Sequence, residues 1–106
     1  MTGTTDDRND PGLKNIQSSG MQEKYLVLSE EERAKGFIQP VRTHYQHEKC
    51  GAVTSMGLNI AETYARNPYF YGSTFCARCG SHFPVGDDGE FVWVENGNVT
   101  NLKVGV

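Results

Sequence analysis

The sequence lacks any long apolar run. No stretch of its 106 residues approaches the roughly 20 consecutive apolar residues of a membrane-spanning helix. Its first residues also lack the apolar stretch that characterises a signal peptide. We therefore expect a cytoplasmic protein without membrane partners. A chain of this length has room for one domain and a short tail.

Cysteine is scarce, and the three cysteines are an odd number. Disulfide frameworks use cysteines in pairs and belong to oxidising compartments. The cysteine count therefore disfavours a disulfide-stabilised secreted domain. It fits a reducing compartment in which thiolates bind a metal ion.

A strong basic excess is also missing, because the formal net charge is −3. Between Arg42 and Arg78 there are four basic and two acidic residues, which is a small local excess. Phosphate-binding proteins usually show a larger one. The charge therefore disfavours nucleic acid as a partner, although Arg42, Arg66 and Arg78 are the residues that such a partner would contact.

Large aliphatic residues are rare near the N-terminus, where residues 1–20 offer only Leu13 and Ile16. Such a segment buries too little apolar surface to offset the entropy of ordering. We predict a flexible tail over residues 1–20 and a folded domain over residues 21–106. A helix over Ser29–Lys35 is predicted next, because Ser29 and Glu32 have the spacing of a capping box.

The sequence does contain two short motifs of the same form. His47-Glu48-Lys49-Cys50-Gly51 and Cys76-Ala77-Arg78-Cys79-Gly80 each place two metal-ligating side chains three residues apart, with a glycine after the second. This spacing suits a tight turn, and glycine tolerates the positive φ that such a turn requires. The two motifs together predict a tetrahedral zinc site formed by His47, Cys50, Cys76 and Cys79.

The histidine ligand has two alternatives. His82 lies three residues beyond Cys79 and could join the second motif, or it could donate a hydrogen bond to a thiolate. His44 precedes His47 by three residues and points elsewhere if this segment is a strand. We favour His47 and keep His82 as the alternative.

The two motifs resemble the two knuckles of a zinc ribbon, with H-x-x-C-G replacing the first C-x-x-C-G. This resemblance covers roughly residues 37–94 and implies a metal site but no particular activity. The stretch from Ile60 to Val85 also resembles small uncharacterised zinc-binding proteins of bacteria and their phages. That resemblance implies no chemistry.

The remaining pattern predicts a small β-rich α+β domain with antiparallel strands. A strand is expected over Phe37–Tyr45, and a helix between the knuckles is expected to begin with a capping box at Asn59 and Glu62. Asn96-Gly97 is typical of a two-residue hairpin turn. The aromatic residues near the second knuckle and in the following strands are expected to form the core rather than a base-stacking platform.

A catalytic zinc is a further alternative. Nucleobase deaminases carry His-x-Glu followed by Pro-Cys-x-x-Cys, with water as the fourth ligand. Here Lys49 replaces that glutamate, Phe75 replaces the proline, and Cys50 would occupy the open position. We therefore expect a structural zinc in a small adaptor that binds a second copy or a host protein through residues 1–36. A nucleic-acid-binding ribbon is the alternative, and a zinc hydrolase is the third.

Overall fold

Three small sheets and two α-helices form residues 3–106, the part of the chain that this computed structural model describes. The first two residues of the predicted tail lie outside this part. The helices are α1 (Glu30–Arg33) and α2 (Leu58–Arg66), and a short 3₁₀ turn spans Pro11–Leu13. The strands are β1 (Gly3–Thr5), β2 (Lys24–Leu26), β3 (His44–His47), β4 (Val53–Ser55), β5 (Ser73–Cys76), β6 (Ser81–Pro84), β7 (Phe91–Glu95) and β8 (Asn98–Lys103). The predicted β-rich fold with antiparallel strands is confirmed.

The largest sheet has the antiparallel order β4-β3-β7-β8. The first four residues of β7, from Phe91 to Val94, are all buried. The β7–β8 turn places Asn96 at φ 50° and Gly97 at φ 78°, as a type I′ turn requires. The hairpin predicted from Asn96-Gly97 is therefore confirmed.

The second antiparallel pair is the hairpin of β5 and β6, which packs beside the main sheet. The core between them is mostly aromatic, as predicted, and includes Tyr45, Tyr64, Phe91 and Trp93. Tyr69 is an exception because 75% of its surface is exposed. Cys76 lies within this core and is fully buried, so the second knuckle begins inside the apolar interior.

The short helix α1 has the cap that the sequence predicted. The Ser29 hydroxyl accepts a hydrogen bond from the Glu32 backbone N–H at 3.1 Å. A helix of one turn is unstable alone. It docks on α2 through Arg33, which lies 2.6 Å from Glu62 and also donates to Asn59.

The predicted start of α2 is wrong. The helix begins at Leu58, and Gly57 is its N-cap, without a side-chain capping bond. Asn59 is not the cap, because its side chain makes tertiary contacts instead. Its amide nitrogen donates to the Thr4 hydroxyl, and its amide oxygen accepts from Arg33.

The strand predicted over Phe37–Tyr45 is mostly absent from the described chain, since β3 begins only at His44. The segment before β3 is hydrogen-bonded to α2 rather than to a neighbouring strand. The backbone N–H groups of Ile38 and Gln39 both donate to the Ala65 carbonyl near the end of that helix. Pro40 has no N–H to offer a sheet, which also disfavours an extended strand here.

The N-terminal segment packs on the rest of the domain. Strand β1 pairs in parallel with β2, and the Leu26 carbonyl accepts a hydrogen bond from the Tyr71 hydroxyl at 2.6 Å. Gly20 lies so close to the second knuckle that a Cβ there would be 2.0 Å from the Gly80 carbonyl oxygen. These contacts describe one arrangement of the segment and not its motion. The flexibility predicted for residues 1–20 therefore stays a prediction.

Neither helix in the described part of the chain is long or apolar enough to cross a membrane.

Candidate metal centre

Both motifs form the same turn. The Gly51 N–H donates to the His47 carbonyl at 2.7 Å, and the Gly80 N–H donates to the Cys76 carbonyl at 2.8 Å. Gly51 has φ 77° and Gly80 has φ 65°, a region in which other residues are strained. The expected role of both glycines is therefore confirmed. Each turn follows a strand, so β3 and β5 carry the first residue of each motif into the site.

The structure brings the four predicted residues together. The ligand atoms of His47, Cys50, Cys76 and Cys79 all lie within 4.8 Å of one another. Nδ1 of His47 is 3.3 Å from Sγ of Cys50 and 3.7 Å from Sγ of Cys79. The sulfur atoms of Cys50 and Cys76 are 3.6 Å apart. These four side chains could hold one metal ion.

The spacing of these atoms can be compared with that of a tetrahedral site. Zinc–sulfur and zinc–nitrogen bonds of ordinary length place neighbouring sulfurs about 3.8 Å apart and a nitrogen about 3.5 Å from a sulfur. The three distances given above are close to these values, and the remaining ones do not exceed 4.8 Å. The donor set and its geometry therefore fit a four-coordinate ion such as zinc.

The second ring nitrogen of His47 is occupied by Glu90, whose Oε1 lies 2.7 Å from Nε2. An ionised carboxylate can only accept a hydrogen bond. Nε2 therefore carries a proton, and Nδ1 is the ring nitrogen that faces the three sulfur atoms. A histidine that binds a metal commonly donates its other N–H to a carboxylate in this way.

Protein-family models, curated proteins and solved structures give no match to this chain.

The imidazole of His47 is held by aromatic packing. It is only 2% exposed and stacks against both Phe83 and Phe91, with ring centroids 4.6 Å and 4.9 Å away. Phe91 is the partner of His47 in the β3–β7 register, and Phe83 comes from β6. Both sheets therefore fix the orientation of this ring.

The thiol of Cys50 is more acidic than that of an ordinary cysteine. Its pKa is lowered to about 7, first by the backbone N–H of Ala52 and then by hydrogen bonds from the Cys76 and His47 side chains. Burial acts in the opposite direction. Metal ions bind thiolates rather than thiols. Cys50 is therefore partly ionised at neutral pH, and its thiolate form can bind a cation.

Two histidines lie outside the cluster. His82 faces the N-terminal segment, and its Nε2 is 2.7 Å from the Tyr25 hydroxyl. His44 is exposed, with Nδ1 2.9 Å from the Thr43 hydroxyl. Among the described residues, His47 is thus the histidine grouped with the cysteines. Ligation by these four residues stays a prediction.

Sequence reasoning missed Glu90. It is 43 residues from His47 in the chain and stands in no motif. It reaches the site because β3 pairs with β7 and His47 lies opposite Phe91, the residue after Glu90. Only that strand pairing could have identified Glu90.

Proposed function

We propose that His47, Cys50, Cys76 and Cys79 bind one structural zinc ion and that the chain is a small adaptor of the zinc-ribbon type. The observation that carries this proposal is the closed donor set. Three thiols and one imidazole nitrogen lie within 4.8 Å of one another, which is the number of ligands that a structural zinc takes. The two knuckle turns, each at the tip of a hairpin, also agree with a ribbon.

A catalytic role is less well supported. A catalytic zinc keeps one position for water, whereas here all four positions have a protein donor. Both oxygens of Glu90 already have partners, since one contacts His47 and the other lies 3.5 Å from Lys49. The hydrolase and deaminase alternatives therefore rank below the adaptor.

A protein partner is supported by apolar side chains around α2. Leu58 at the start of the helix is 59% exposed, and Ile38, bonded to the helix end through its backbone, is 70% exposed. Phe37 is 44% exposed and shares a cleft with Asn59 and Glu62 of α2. These exposed apolar side chains are the groups around α2 that a protein partner could cover. We call Phe37, Ile38 and Leu58 the α2 surface.

Two of the three arginines that a nucleic acid would contact already have partners within the protein. The guanidinium of Arg42 lies 4.8 Å from the centre of the Trp93 ring, and only 9% of its side chain is exposed. Arg66 lies 3.5 Å from Glu32. Of these three arginines, only Arg78 is exposed and has no carboxylate in contact among the described residues. A single arginine does not form a phosphate-binding surface.

The zinc part of the proposal is tested by metal content. Native mass spectrometry of the reduced protein should show one zinc per chain. A strong chelator should then collapse the dispersed amide spectrum, because a metal ligated only in the folded state stabilises folding. A metal-free protein that keeps its full tertiary spectrum would overturn the structural role.

The adaptor part is tested on the α2 surface. The double variant Ile38→Ser and Leu58→Ser should lose a protein partner that the tagged wild type recovers from lysate, or should lose self-association. Val53→Ser is the matched control, since Val53 is 50% exposed on β4, outside the α2 surface. Recovery of only a polynucleotide that salt releases would favour the nucleic-acid alternative.

A further inference from the structure

A cavity of about 330 Å³ lies between the N-terminal segment and the loop that leads into β5. Arg8 and Tyr25 line it from the N-terminal segment, and Phe70, Tyr71 and Gly72 line it from the loop. Cavities of this volume are of the size that binds small organic molecules. No predicted metal ligand is among the lining residues, so the cavity is separate from the metal centre.

Three aromatic residues line this cavity, and contacts within the protein hold each of them. The Tyr25 hydroxyl lies 2.7 Å from Nε2 of His82, and the Tyr71 hydroxyl donates to the Leu26 carbonyl at 2.6 Å. The Phe70 ring packs edge-on against Tyr71, with ring centroids 4.9 Å apart. Aromatic side chains pack favourably against further rings in edge-on or offset arrangements. Because both tyrosine hydroxyls are already bonded, an aromatic ring is the ligand group that these residues favour.

Arg8 is the one charged residue among the described residues that line the cavity. It is exposed and forms no ion pair with any described residue. It also lines a neighbouring groove with Asp6 and Glu32, yet it is paired with neither of them. A guanidinium binds a carboxylate through two parallel N–H···O bonds. The charge of this cavity therefore favours an anionic ligand, and specifically a carboxylate.

The volume limits the size of the ligand. A dry apolar cavity of about 150 Å³ accepts benzene, and this cavity is roughly twice as large. It has room for one ring and a short acidic side chain.

We propose that this cavity binds a small aromatic carboxylate, with its ring against Tyr25, Phe70 and Tyr71 and its carboxylate paired with Arg8. The bound molecule contacts the N-terminal segment and the loop before β5 together. This site does not depend on the metal ion or on the partner that the α2 surface binds.

The probe for the site is 3-phenylpropanoate. Two comparison compounds separate its parts: 3-phenylpropanamide keeps the ring without the charge, and propanoate keeps the charge without the ring. Each is titrated into the metal-loaded full chain labelled with ¹⁵N. The acid should bind with a dissociation constant of about 1 mM and shift the amide signals of Arg8, Gly72 and Ser73. The signal of Gly97, in the distant β7–β8 turn, should not move.

Arg8→Gln tests the ion pair. It should weaken binding of 3-phenylpropanoate about fivefold, the upper range for one exposed ion pair, and leave binding of the amide unchanged. Added salt should weaken binding of the acid to the wild type for the same reason. Arg78→Gln, at an exposed arginine outside the cavity, is the matched control and should change neither affinity.

Phe70→Ala tests the aromatic wall. It should weaken binding of the acid and the amide alike, about fivefold, because both compounds lose the same ring contact. Arg8 forms no ion pair that Arg8→Gln could break, so that variant is expected to fold and decides the outcome if Phe70→Ala does not.

Four results would overturn the proposal. One is that 3-phenylpropanoate at ten times the expected dissociation constant leaves the cavity signals unchanged. Another is that the amide binds as tightly as the acid, since the charge of Arg8 would then play no part. Propanoate that shifts the same signals at the same concentrations would show ion pairing at the surface without a site for the ring. Undiminished binding of the acid to Arg8→Gln would remove the carboxylate from Arg8.

Discussion

Glu90 determines which nitrogen of His47 can bind a metal. Its Oε1 lies 2.7 Å from Nε2, and Lys49 of the first knuckle approaches its other oxygen at 3.5 Å. The hydrogen bond from His47, foremost, and the charge of Lys49 lower the pKa of the Glu90 carboxyl. The Glu90 carboxyl is therefore ionised at neutral pH and can only accept hydrogen bonds. This makes Nε2 the donor to Glu90 and leaves Nδ1 of His47 as the ring nitrogen beside the three sulfur atoms.

The first prediction concerns Glu90 itself. Glu90→Ala should lower zinc affinity about 10- to 100-fold, because carboxylates that orient a histidine ligand have effects of this size. Glu90→Gln should have a smaller effect, since an amide oxygen still accepts from Nε2. Competition with a chromophoric chelator measures both affinities. Glu31→Ala, on an exposed residue of α1, is the control. Unchanged affinity in Glu90→Ala would contradict the orienting role.

The second prediction distinguishes the three histidines. His47→Ala should lose most of the bound zinc, because one of the four donors is removed. His82→Ala should keep its zinc and lose about 1 kcal/mol of stability, the usual contribution of one hydrogen bond, here that to Tyr25. His44→Ala, on an exposed side chain, should change neither quantity. Metal analysis and urea unfolding measure them. Zinc loss in His82→Ala with zinc retained in His47→Ala would reverse the assignment.

The third prediction concerns pH. Burial lowers the pKa of His82 below its ordinary value of 6.5, so the folded state favours the neutral ring. Between the folded and ordinary pKa values, the unfolded state then binds more protons. The stability that His82 contributes is therefore complete above about pH 6.5 and is lost as the pH falls below it.

This effect can be measured as a difference. The unfolding free energies of wild type and His82→Gln, both saturated with zinc, are compared from pH 7.5 to pH 5. The zinc site contributes equally to both, so the difference isolates His82. The advantage of the wild type should shrink as the pH falls. An advantage that grows towards pH 5 would mean that the charged ring is the favoured form.

The knuckles were predictable from the sequence because their geometry is local. Five consecutive residues set each turn, and the positive φ of Gly51 and Gly80 follows from the same few residues. The sequence also predicted that the two motifs lie together at one metal site, because they contain all three cysteines of the chain. The choice between His47 and His82 was not local, since it depended on the β5–β6 pairing that directs His82 towards Tyr25.

The other departures have the same cause. Asparagine is a common helix-capping residue, but the Asn59 side chain is hydrogen-bonded to Thr4 and Arg33 instead. Neither of these residues is near Asn59 in the sequence. The segment before His44 has strand-forming residues, but its N–H groups meet the end of α2. Tertiary hydrogen bonds outweighed local preference at both places. Glu90 could not be found at all without the strand register.

The last prediction concerns the N-terminal segment and two glycines with similar backbones. Gly20 has φ 93° and Gly36 has φ 113°, so alanine is strained at both positions. Their surroundings differ. A Cβ at Gly20 would lie 2.0 Å from the Gly80 carbonyl oxygen, whereas a Cβ at Gly36 would meet no atom within 4 Å. Gly36→Ala therefore measures the backbone strain alone, about 1 kcal/mol.

Gly20→Ala should cost about 1–3 kcal/mol more than Gly36→Ala, because the methyl group forces the segment away from the second knuckle. Urea unfolding of the zinc-loaded variants measures the difference, and the amide signal of Gly80 should shift only in Gly20→Ala. This comparison also tests the flexible tail predicted over residues 1–20. If the segment is flexible in solution, the methyl group meets nothing for most of the time. The two variants should then be equally stable, and the packing of Gly20 on the knuckle would not contribute to the fold.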